Sequence, residues 1–369
     1  MRFLCVVGTR PEAIKLAPVI LELSRHAQVV TLCSGQHTDL AREPLTEFGI
    51  EPDDEIVIPN ECRTLAALTG AMLAPLECAI ERHNPDVAIA QGDTTTVLVT
   101  ALAAFYLHKP FAHVEAGLRT GNLRAPFPEE FNRIAAGRIA DWHFCPTERA
   151  MANLRAEGVD PAHMVLTGNT GIDALRLILE RRILEGRPPE PARGGGLRQI
   201  LLTAHRRENQ GPPLVSICEA VLRLIDAYGD IEFRIPVHPS PAVRETVERL
   251  LGGRDRIVLL PPLGYSRLVS EMARAALIVT DSGGIQEEAP FLKKPVLVMR
   301  DVTERPEVVE LGVAKLVGTD ADKLVGAVGE LLDDPAVYAR MATGGSPYGD
   351  GYAAQRIAAA FGLGRGGSS

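Results

Sequence analysis

Short apolar segments alternate with longer segments of helical periodicity along almost the whole chain, and this alternation constrains the fold more than any other feature. Phe3–Val7 is an uninterrupted apolar run, and Pro11–His26 then places apolar residues at helical spacing. The apolar runs contain no regularly interspersed polar residues, which is typical of parallel strands covered by helices on both faces. Strands that alternate with helices in this way predict an α/β chain with mostly parallel, doubly wound sheets.

The pattern recurs on both sides of one interruption, Glu185–Arg198, which is rich in Pro and Gly and almost free of large apolar residues. At about 150 residues per domain, a chain of 369 residues predicts two domains, residues 1–185 and 197–351. The other predicted strands are Val29–Cys33, Val87–Ala90, Phe111–Val114, Met164–Leu166, Gln199–Leu202, Glu232–Ile235, Ile257–Leu260, Leu277–Thr280 and Val296–Met299. The other predicted helices are Leu65–Arg82, Thr94–Leu107, Gly171–Arg182, Leu214–Tyr228, Ala242–Leu251, Pro335–Met341 and Tyr352–Phe361.

Composition excludes several classes of function. The chain has 39 Lys and Arg against 47 Asp and Glu, a net charge of −8, so binding to nucleic acid or to an anionic membrane surface is not expected. The longest apolar stretch, around Val97–Leu107, is too short to span a bilayer. The six cysteines include no CxxC pair, which argues against a zinc site and predicts free thiols in a reducing compartment, so we expect a cytoplasmic protein without a metal.

The segment GTRPE at positions 8–12 follows the first predicted strand and opens a helix. Thr9 and Glu12 have the spacing of a capping box, which explains both residues by local structure alone. Arg10 and Lys15 are not needed for the cap, and two cations at a helix N-terminus predict a phosphate-binding site. Neither a GxGxxG fingerprint nor a P-loop is present here, so a standard dinucleotide or P-loop mode of binding is not expected.

Small and polar residues follow the predicted strand Leu277–Thr280. Gly283 and Gly284 allow backbone amides to approach an anion closely, and Ser282 either caps the next helix or donates to a phosphate. Glu288 lies about one and a half turns into that helix, where a carboxylate can accept both hydroxyls of a ribose, as acidic residues do in dinucleotide-binding folds. The segment therefore predicts part of a nucleotide site.

Two histidines also follow strands in the second predicted domain. His205 comes before Arg206 and Arg207, and His238 lies in the segment PVHP. A single histidine is more often structural, but two at strand ends, one beside paired arginines, favour an anionic ligand. No HExxH or HxH pair indicates a metal.

Carboxylates are concentrated near strand ends in the first predicted domain. Asp93 lies in QGDT, Glu115 follows Phe111–Val114, and Glu129 and Glu130 follow the segment PFP. Each one alone is more often a helix cap or a surface charge. Together, next to a phosphorylated ligand, they indicate acid–base catalysis or stabilisation of a cation.

Longer motifs carry a family resemblance from about residue 3 to about residue 361. GTRPEAIKLAPV, GQHTDL, QGDTTT, HVEAGLRTGNL, PFPEEFNR, LTGNTGIDAL, HRREN, PVHP, DSGGIQEEAP, KPVLVMRDVTERPE and PYGDG occur in that order. The chain resembles the UDP-N-acetylglucosamine 2-epimerase family, specifically its bacterial non-hydrolysing branch. The resemblance implies a GT-B fold of two Rossmann-like domains with the active site in the cleft between them. It also implies that a C-terminal helix, within residues 352–369, packs back on the first domain.

The same resemblance implies an isomerase that interconverts UDP-GlcNAc and UDP-ManNAc without a cofactor. By motif match, Asp93, Glu115 and Glu129 would stabilise the oxocarbenium-like cation and transfer protons. His205 would act on the diphosphate or as an acid. The implied substrate-binding residues are Arg10, Lys15, Arg206, His238, Ser282, Gly283, Gly284, Glu288 and Arg305. Members of the family usually form homodimers through the first domain, so we expect a homodimer.

The chain departs from the family pattern at a second ligand site. Bacterial members are often activated by a second UDP-GlcNAc, which a QHxxQ-like segment and an arginine on the following helix bind beside the active site. Gln36 and His37 match as possible allosteric residues, but Thr38 and Asp39 follow them, and the helix segment Leu68–Ala71 lacks the arginine. Activation by substrate is therefore not expected to be intact.

Other functions compatible with these residues remain open. A hydrolysing 2-epimerase would release free ManNAc, and related epimerases act on other UDP-2-acetamido sugars or uronates. A GT-B glycosyltransferase would share the fold and the UDP pocket, but it would not need three carboxylates around the sugar. A catalytically inactive nucleotide-sugar sensor is disfavoured, because every expected acidic residue and His205 are present.

Overall fold

A computed structural model describes residues 1–36, 38–59, 62, 64–185, 196–343 and 345–364. The chain divides into two compact units: Met1–Leu177 with the chain from Tyr348 onward, and Ile178–Pro347. The predicted interdomain segment Glu185–Arg198 falls largely on residues 186–195, which lie outside the described residues. No helix in the described part of the chain is long and apolar enough to cross a membrane.

The first unit is built on a parallel sheet. Its strands are β1 (Arg2–Val7), β2 (Gln28–Cys33), β3 (Asp54–Glu55), β4 (Val87–Gln91), β5 (Phe111–Val114), β6 (Trp142–Cys145) and β7 (Met164–Leu166). Its helices before the second unit are α1 (Arg10–Ser24), α2 (Thr38–Glu47), α3 (Leu65–His83), α4 (Thr95–Tyr106), α5 (Glu129–Ile139), α6 (Glu148–Ala156) and α7 (Thr170–Leu184), with a short 3₁₀ helix at Pro161–His163. Among the described residues the strand order is β3-β2-β1-β4-β5-β6-β7, and β1 pairs in parallel with both β2 and β4.

The second unit repeats this plan. Its strands are β8 (Arg198–Thr203), β9 (Ile231–Pro236), β10 (Ile257–Leu260), β11 (Leu277–Thr280), β12 (Val296–Val298) and β13 (Ala314–Leu316). Its helices are α8 (Pro212–Ala227), α9 (Pro241–Leu251), α10 (Tyr265–Arg274), α11 (Gly283–Glu288), α12 (Pro306–Glu310), α13 (Ala321–Asp333) and α14 (Pro335–Thr343), with a 3₁₀ helix at Arg207–Asn209. The described strands are ordered β10-β9-β8-β11-β12-β13 and the ladders are parallel.

The predicted doubly wound α/β architecture is therefore confirmed. Each predicted strand is present with its ends within one residue, and each predicted helix is present with its ends within two. The continuous apolar runs are strands covered on both faces, which is why they lack alternation: all residues of β4 and of β5 are buried. Buried aliphatic residues from β1, β4, α3 and α4 form the core of the first unit.

The chain returns to the first unit through α15 (Ala353–Ala360). The Asp173 carboxylate of α7 accepts hydrogen bonds from the first two backbone N–H groups of α15, at 3.1 and 2.8 Å, which satisfies donors that a helix N-terminus leaves unpaired. The ring of Phe361 lies 4.9 Å from Phe3 of β1, and 5.2 and 5.5 Å from Trp142 and Phe144 of β6. A cap at one end and an aromatic cluster at the other hold α15 in place.

Strand order identifies where ligands bind in each unit. In the first unit, β1 has β2 on one side and β4 on the other; in the second, β8 lies between β9 and β11. In each sheet, the strands that come next in the chain lie on one side of the first strand, β1 or β8, and the later strands lie on its other side. In open α/β sheets, ligands bind outside the carboxyl ends of strands at such a switch point. Ligand-binding residues are therefore expected in the loops after β1, β4, β8 and β11.

Candidate active site

Glu115 is the first residue after β5, and its surroundings make it an anchored carboxylate. Its Oε2 lies 2.7 Å from Lys15 Nζ and accepts a hydrogen bond of 2.5 Å from Gln91 Nε2. The Glu115 and Lys15 side chains are 6% and 12% exposed. Glu115 also has φ +66°, a left-handed conformation that is uncommon for non-glycine residues and is concentrated at functional sites. The structure thus brings together two predicted residues, with Lys15 bound to a carboxylate.

Asp93 follows the neighbouring strand β4 and is held by an arginine that the sequence did not single out. Arg133 of α5 donates from Nε at 2.9 Å and from Nη2 at 2.6 Å to Asp93 Oδ2. Asn132 Nδ2 donates to the Asp93 backbone carbonyl at 2.8 Å. Burial lowers the pKa of Arg133, but Asp93 and Glu130 outweigh burial and raise it above its ordinary value. The Asp93 side chain remains 28% exposed, so it is both fixed and accessible.

The adjacent residues Glu129 and Glu130 have different roles. Glu130 is fully buried: its Oε1 accepts from the backbone N–H groups of Thr120 and Gly121, each at 2.9 Å, and its Oε2 lies 3.1 Å from Arg133 Nη1. Glu129 is half-buried at the first position of α5, and no described residue forms a hydrogen bond or ion pair with its side chain. Glu130 therefore shapes the loop, and Glu129 is left available for a ligand.

Glu12 joins the loop after β1 to the loop after β4. Its Oε2 accepts from the backbone N–H groups of Gly8 at 2.7 Å and Thr9 at 2.8 Å, and its Oε1 accepts from the Thr94 hydroxyl. Burial raises the pKa of Glu12 to about 7, although these three hydrogen bonds oppose the shift. The bond to the Thr9 N–H is one half of the predicted capping box, and Arg10 follows as the first residue of α1.

His113 of β5 holds the loop that carries Asp93 through a hydrogen bond to the backbone of that loop. Its Nε2 lies 2.7 Å from the carbonyl oxygen of Gly92. Burial lowers the pKa of His113 to about 4, and burial likewise lowers the pKa of His143, its neighbour on β6, to about 4. Above about pH 4 the His113 ring is neutral, and its Nε2–H donates to the Gly92 carbonyl.

Gln36, one of the two residues expected at an allosteric site, lies in the loop after β2. Gln36 Oε1 accepts from the Thr96 hydroxyl at 2.9 Å and from the Thr96 backbone N–H at 3.3 Å, so it contacts the first turn of α4. The predicted partner His37 lies outside the described residues.

In the second unit, His205 follows β8 and contacts Asp281, the first residue after β11. His205 Nδ1 lies 2.8 Å from Asp281 Oδ1. The Asp281 side chain is fully buried, whereas the His205 side chain is 47% exposed. Burial alone would raise the pKa of Asp281, but the hydrogen bonds from His205, the Arg206 N–H and Asn209 lower it below its ordinary value. The carboxylate therefore stays ionised and holds one nitrogen of the imidazole.

Arg206 and Arg305 belong to a network of charges centred on Glu304. Arg206 donates from Nε to the Asp281 backbone carbonyl at 3.0 Å, and its Nη2 lies 3.9 Å from Glu304. Arg300 binds Glu304 through two hydrogen bonds, at 2.7 and 3.0 Å. Burial would raise the pKa of Glu304, but Arg300, Arg305 and Arg206 lower it to about 2. The network keeps several guanidinium groups at the loops after β8 and β12.

Arg305 packs directly on the predicted anion-binding turn. Its Nε lies 2.8 Å from Glu287 Oε1, and a Cβ added to Gly283 would lie 3.0 Å from the Arg305 Cζ. A side chain at Gly283 would push against the Arg305 guanidinium, whereas Gly284 has open space around it. Ser282 precedes α11 and makes no side-chain cap hydrogen bond. Of its two predicted roles, helix cap and phosphate donor, the second therefore remains.

Glu288 is nearly buried, and the Tyr265 hydroxyl of α10 donates to its Oε1 at 3.0 Å. The carboxylate predicted to hold a ribose is therefore oriented by a tyrosine.

His238 follows β9, and its Nδ1 accepts from the backbone N–H of Ser240 at 3.2 Å. This bond leaves Nε2 as the nitrogen available for a ligand.

The chemistry available differs between the two units. The first offers two fixed carboxylates, Asp93 and Glu115, after adjacent strands, with Glu129 available nearby. The second offers guanidinium groups, a Gly-Gly turn and an oriented imidazole, which suit a phosphorylated ligand. Among the described residues, no group of three or more His, Cys, Asp or Glu side chains could hold a metal ion.

Reasoning from the sequence missed Arg133, Asp281, Tyr265 and the bridging role of Glu12. Asp281 could have been found, because it is the first polar residue after β11 and directly precedes the Ser-Gly-Gly turn. Arg133 carried no such signal, since it lies inside α5, and its contact with Asp93 joins residues that are 40 positions apart.

Comparisons with known proteins agree over nearly the whole chain. Residues 21–362 match the family model described as UDP-N-acetylglucosamine 2-epimerase. The chain is 44% identical to UDP-N-acetylglucosamine 2-epimerase from Bacillus subtilis, over 97% of this chain and 94% of that protein. It is 43% identical to the enzyme of the same name from Salmonella typhimurium, over 97% of each chain.

A solved structure shows the same likeness. The crystal structure of UDP-GlcNAc 2-epimerase from Neisseria meningitidis, bound to UDP-GlcNAc, matches with a TM-score of 0.90 at 40% identity. The match covers 98% of this chain and 99% of that one. This likeness confirms the predicted GT-B class of fold.

Proposed function

The chain belongs to the UDP-N-acetylglucosamine 2-epimerase family, and on that premise we propose that it interconverts UDP-GlcNAc and UDP-ManNAc without hydrolysing them. The observation that carries the proposal is the arrangement of Asp93 and Glu115. Asp93 follows the buried strand β4 and Glu115 follows its neighbour β5. Arg133 holds the first carboxylate in place and Lys15 the second. A reaction that inverts a carbon through a cationic intermediate needs such carboxylates.

The chemistry follows from the weak acidity of the proton at C2 of the sugar. No carbonyl acidifies this proton, so the reaction begins with cleavage of the bond between C1 and the diphosphate oxygen, whose electron pair leaves with UDP. A carboxylate then removes the C2 proton, and that electron pair forms the C1=C2 bond of 2-acetamidoglucal. Delivery of a proton to the opposite face of C2 and return of UDP to C1 give the epimer.

We assign the acid–base work to the first unit. Asp93, Glu115 and Glu129 stabilise the cation and move the proton at C2. Lys15 lies 2.7 Å from the Glu115 carboxylate and fixes its position. Arg133 fixes the Asp93 carboxylate through two hydrogen bonds, at 2.9 and 2.6 Å. No described group binds the Glu129 side chain, so it can turn toward a ligand.

We assign UDP binding largely to the second unit. Ser282, Gly283 and Gly284 donate to the diphosphate, and Glu288, oriented by Tyr265, accepts the ribose hydroxyls. His205, Arg206, His238 and Arg305 complete the diphosphate-binding groups of this unit. Within the first unit, Arg10 at the start of α1 is the proposed substrate-binding cation. The charge of UDP is thus met by cations and N–H donors, as phosphate recognition requires.

The test is proton NMR of the purified protein with UDP-GlcNAc in heavy water. The proposal predicts UDP-ManNAc carrying deuterium at C2, because the abstracted proton exchanges with solvent. Free ManNAc and UDP would instead establish the hydrolysing reaction. Unchanged UDP-GlcNAc, from protein that still binds UDP, would contradict this substrate and direct the search to UDP-2-acetamido uronates.

Substitutions test the roles of the carboxylates in the same assay. Asp93→Asn and Glu115→Gln are expected to lower turnover by about 10²–10⁴-fold, the usual contribution of a general acid or base, while UDP binding persists. Glu81→Gln, at an exposed position of α3, is the matched control and should keep full turnover. Near-normal turnover in both site variants would contradict the assignment.

We further propose a homodimer formed through the first unit, in the cytoplasm. Helix α3 exposes Leu65, Ala74 and Cys78, and α4 exposes Phe105 and Tyr106 at its end. The two helices pack against each other, and exposed apolar patches are typical of protein interfaces. All six cysteines are free thiols, which supports a reducing compartment.

A further inference from the structure

The environment of Asp281 restricts how His205 can bind a ligand. The Asp281 Oδ2 accepts three N–H groups: from the His205 backbone at 3.0 Å, the Arg206 backbone at 2.9 Å and the Asn209 side chain at 2.9 Å. Its Oδ1 faces the His205 ring at 2.8 Å. A carboxylate held by this many donors has a fixed orientation, and the lowered pKa of Asp281 makes it an acceptor only.

An acceptor at Nδ1 determines the tautomer of the ring. His205 must carry its hydrogen on Nδ1 to donate to Asp281, so a neutral ring has a bare lone pair on Nε2. Nε2 is the nitrogen left for a ligand, and the half-exposed side chain makes it accessible. A diphosphate oxygen is also an acceptor only. An imidazole between two acceptors can satisfy both only when both nitrogens carry hydrogen, that is, when the ring is charged.

We propose that Asp281 is a positioning residue that makes the binding of UDP at His205 Nε2 depend on protonation of the ring, so that the diphosphate binds together with a proton. The inference rests on the proposed function, because it takes UDP as the ligand. It goes beyond that function by linking nucleotide affinity to pH. When the bond between C1 and the diphosphate oxygen breaks, the same Nε2–H is in place to stabilise the charge on that oxygen.

Other charges near the ring do not replace this pairing. Arg206, the next residue, directs its Nε to the Asp281 backbone carbonyl, and its Nη2 lies 3.9 Å from Glu304. Glu304 is in turn neutralised by Arg300. Asp281 is therefore the carboxylate in contact with the ring among the described residues.

The experiment is calorimetric titration of the full-length protein with UDP between pH 7 and 9, in buffers of different ionisation enthalpy. The terminal phosphate of free UDP has a pKa of about 6 and its uracil N3–H is weakly acidic, so the proton uptake that belongs to His205 is the difference between the wild type and His205→Gln at the same pH. The wild-type protein should take up a proton on binding, and its affinity should fall with rising pH by up to about tenfold per pH unit. His205→Gln should bind more weakly and without this proton uptake.

Asp281→Asn tests the positioning role. An asparagine has one acceptor oxygen, which the three N–H donors at Oδ2 would occupy, so its NH₂ group would face His205 Nδ1. The ring must then accept at Nδ1 and carry its hydrogen on Nε2 while neutral, and the proton uptake should disappear although UDP still binds. The ¹⁵N shifts of the His205 ring should report this change of tautomer.

Asp54→Asn is the matched control. Asp54 Oδ2 lies 2.7 Å from His83 Nε2 in the first unit, and this variant should leave the linkage unchanged. Should Asp281→Asn fail to fold, the comparison of wild type with His205→Gln decides the proton uptake, and the wild-type ¹⁵N shifts decide the tautomer. Three results would overturn the proposal. The wild type could bind UDP without taking up a proton, or the proton uptake could persist in His205→Gln or Asp281→Asn. The neutral His205 ring of the wild type could also carry its hydrogen on Nε2. Failure of the wild type to bind UDP would instead overturn the proposed function.

Discussion

Glu12 shows how one buried side chain can organise a site that it does not form by itself. It is 2% exposed and accepts hydrogen bonds from the loop after β1 and from Thr94 in the loop after β4. These loops carry Arg10 and Asp93. Water is excluded from the carboxylate, so burial raises its pKa to about 7, and its ionisation costs free energy at neutral pH.

This shift predicts a pH dependence of stability. The folded-state pKa of Glu12 is raised above its ordinary value of 4.5, so its contribution is complete below about pH 4.5 and is lost as the pH rises through about 7. The loss amounts to at most ~3 kcal/mol. Glu12→Gln should remove it, so that the free energy of unfolding falls less between pH 5 and pH 8 than in the wild type.

Urea unfolding at pH 5 and pH 8 measures the difference, with Glu81→Gln as a control that keeps the wild-type slope. Burial raises the pKa of Asp173 to about 6, which contributes a slope of the same sign, so the Glu12 variant should flatten the dependence without abolishing it. Equal slopes in the wild type and in Glu12→Gln would contradict the buried, ionisable state of this side chain.

At the scale of elements, α15 is the clearest case of a helix held by tertiary contacts. It has eight residues, too few to be stable alone. Its stability comes from the Asp173 cap and from Phe361, which is 8% exposed among aromatic rings of β1 and β6.

Phe361→Ala should therefore destabilise the first unit by about 3–5 kcal/mol, the usual cost of emptying a buried phenylalanine site. Thermal or urea unfolding measures the loss. Phe127→Ala makes the same change at a position that is 66% exposed and should cost less than about 0.5 kcal/mol. A small effect at Phe361 would mean that the cap and the rest of α15 suffice to hold it.

The scale of elements also shows which patterns were readable. The continuous apolar runs located β4, β5 and β11 closely, because strands buried on both faces leave an unmistakable run. Strand β3 has two residues and carries no pattern to detect. Helix α5 went unpredicted because its buried residues include Glu130, Asn132 and Arg133, which an apolar periodicity cannot reveal.

At the scale of the whole molecule, the proposed homodimer is open to direct measurement. Light scattering coupled to gel filtration should give twice the mass of one chain. Ala74→Glu places a charge on the exposed face of α3 and should yield monomers, because burying an unpaired charge in an interface is costly.

Val215→Glu is the matched control: it introduces the same charge at a 41% exposed position of α8 in the second unit and should leave the mass unchanged. A dimer that persists in Ala74→Glu would place the interface elsewhere. A wild-type protein that is monomeric at every concentration would refute the homodimer itself.

Three features could be predicted from the amino-acid sequence alone: the α/β class, the repetition of the same plan in two halves, and the positions after strands where polar residues collect. Those features are local, because periodicity and turn residues act over a few positions. The sequence also singled out Asp93, Glu115, His205 and Glu288 as candidates, and their roles stay predictions until the experiments above are done.

The contacts that hold these side chains in place depend on the three-dimensional fold. Arg133 on Asp93, Lys15 on Glu115 and Asp281 on His205 join residues 40, 100 and 76 positions apart. Such pairs form because parallel strands bring their carboxyl ends to one edge of a sheet, and the order of strands in the sheet sets which loops meet there. That order depends on packing over the entire sheet, so neither a motif nor a local pattern encodes it.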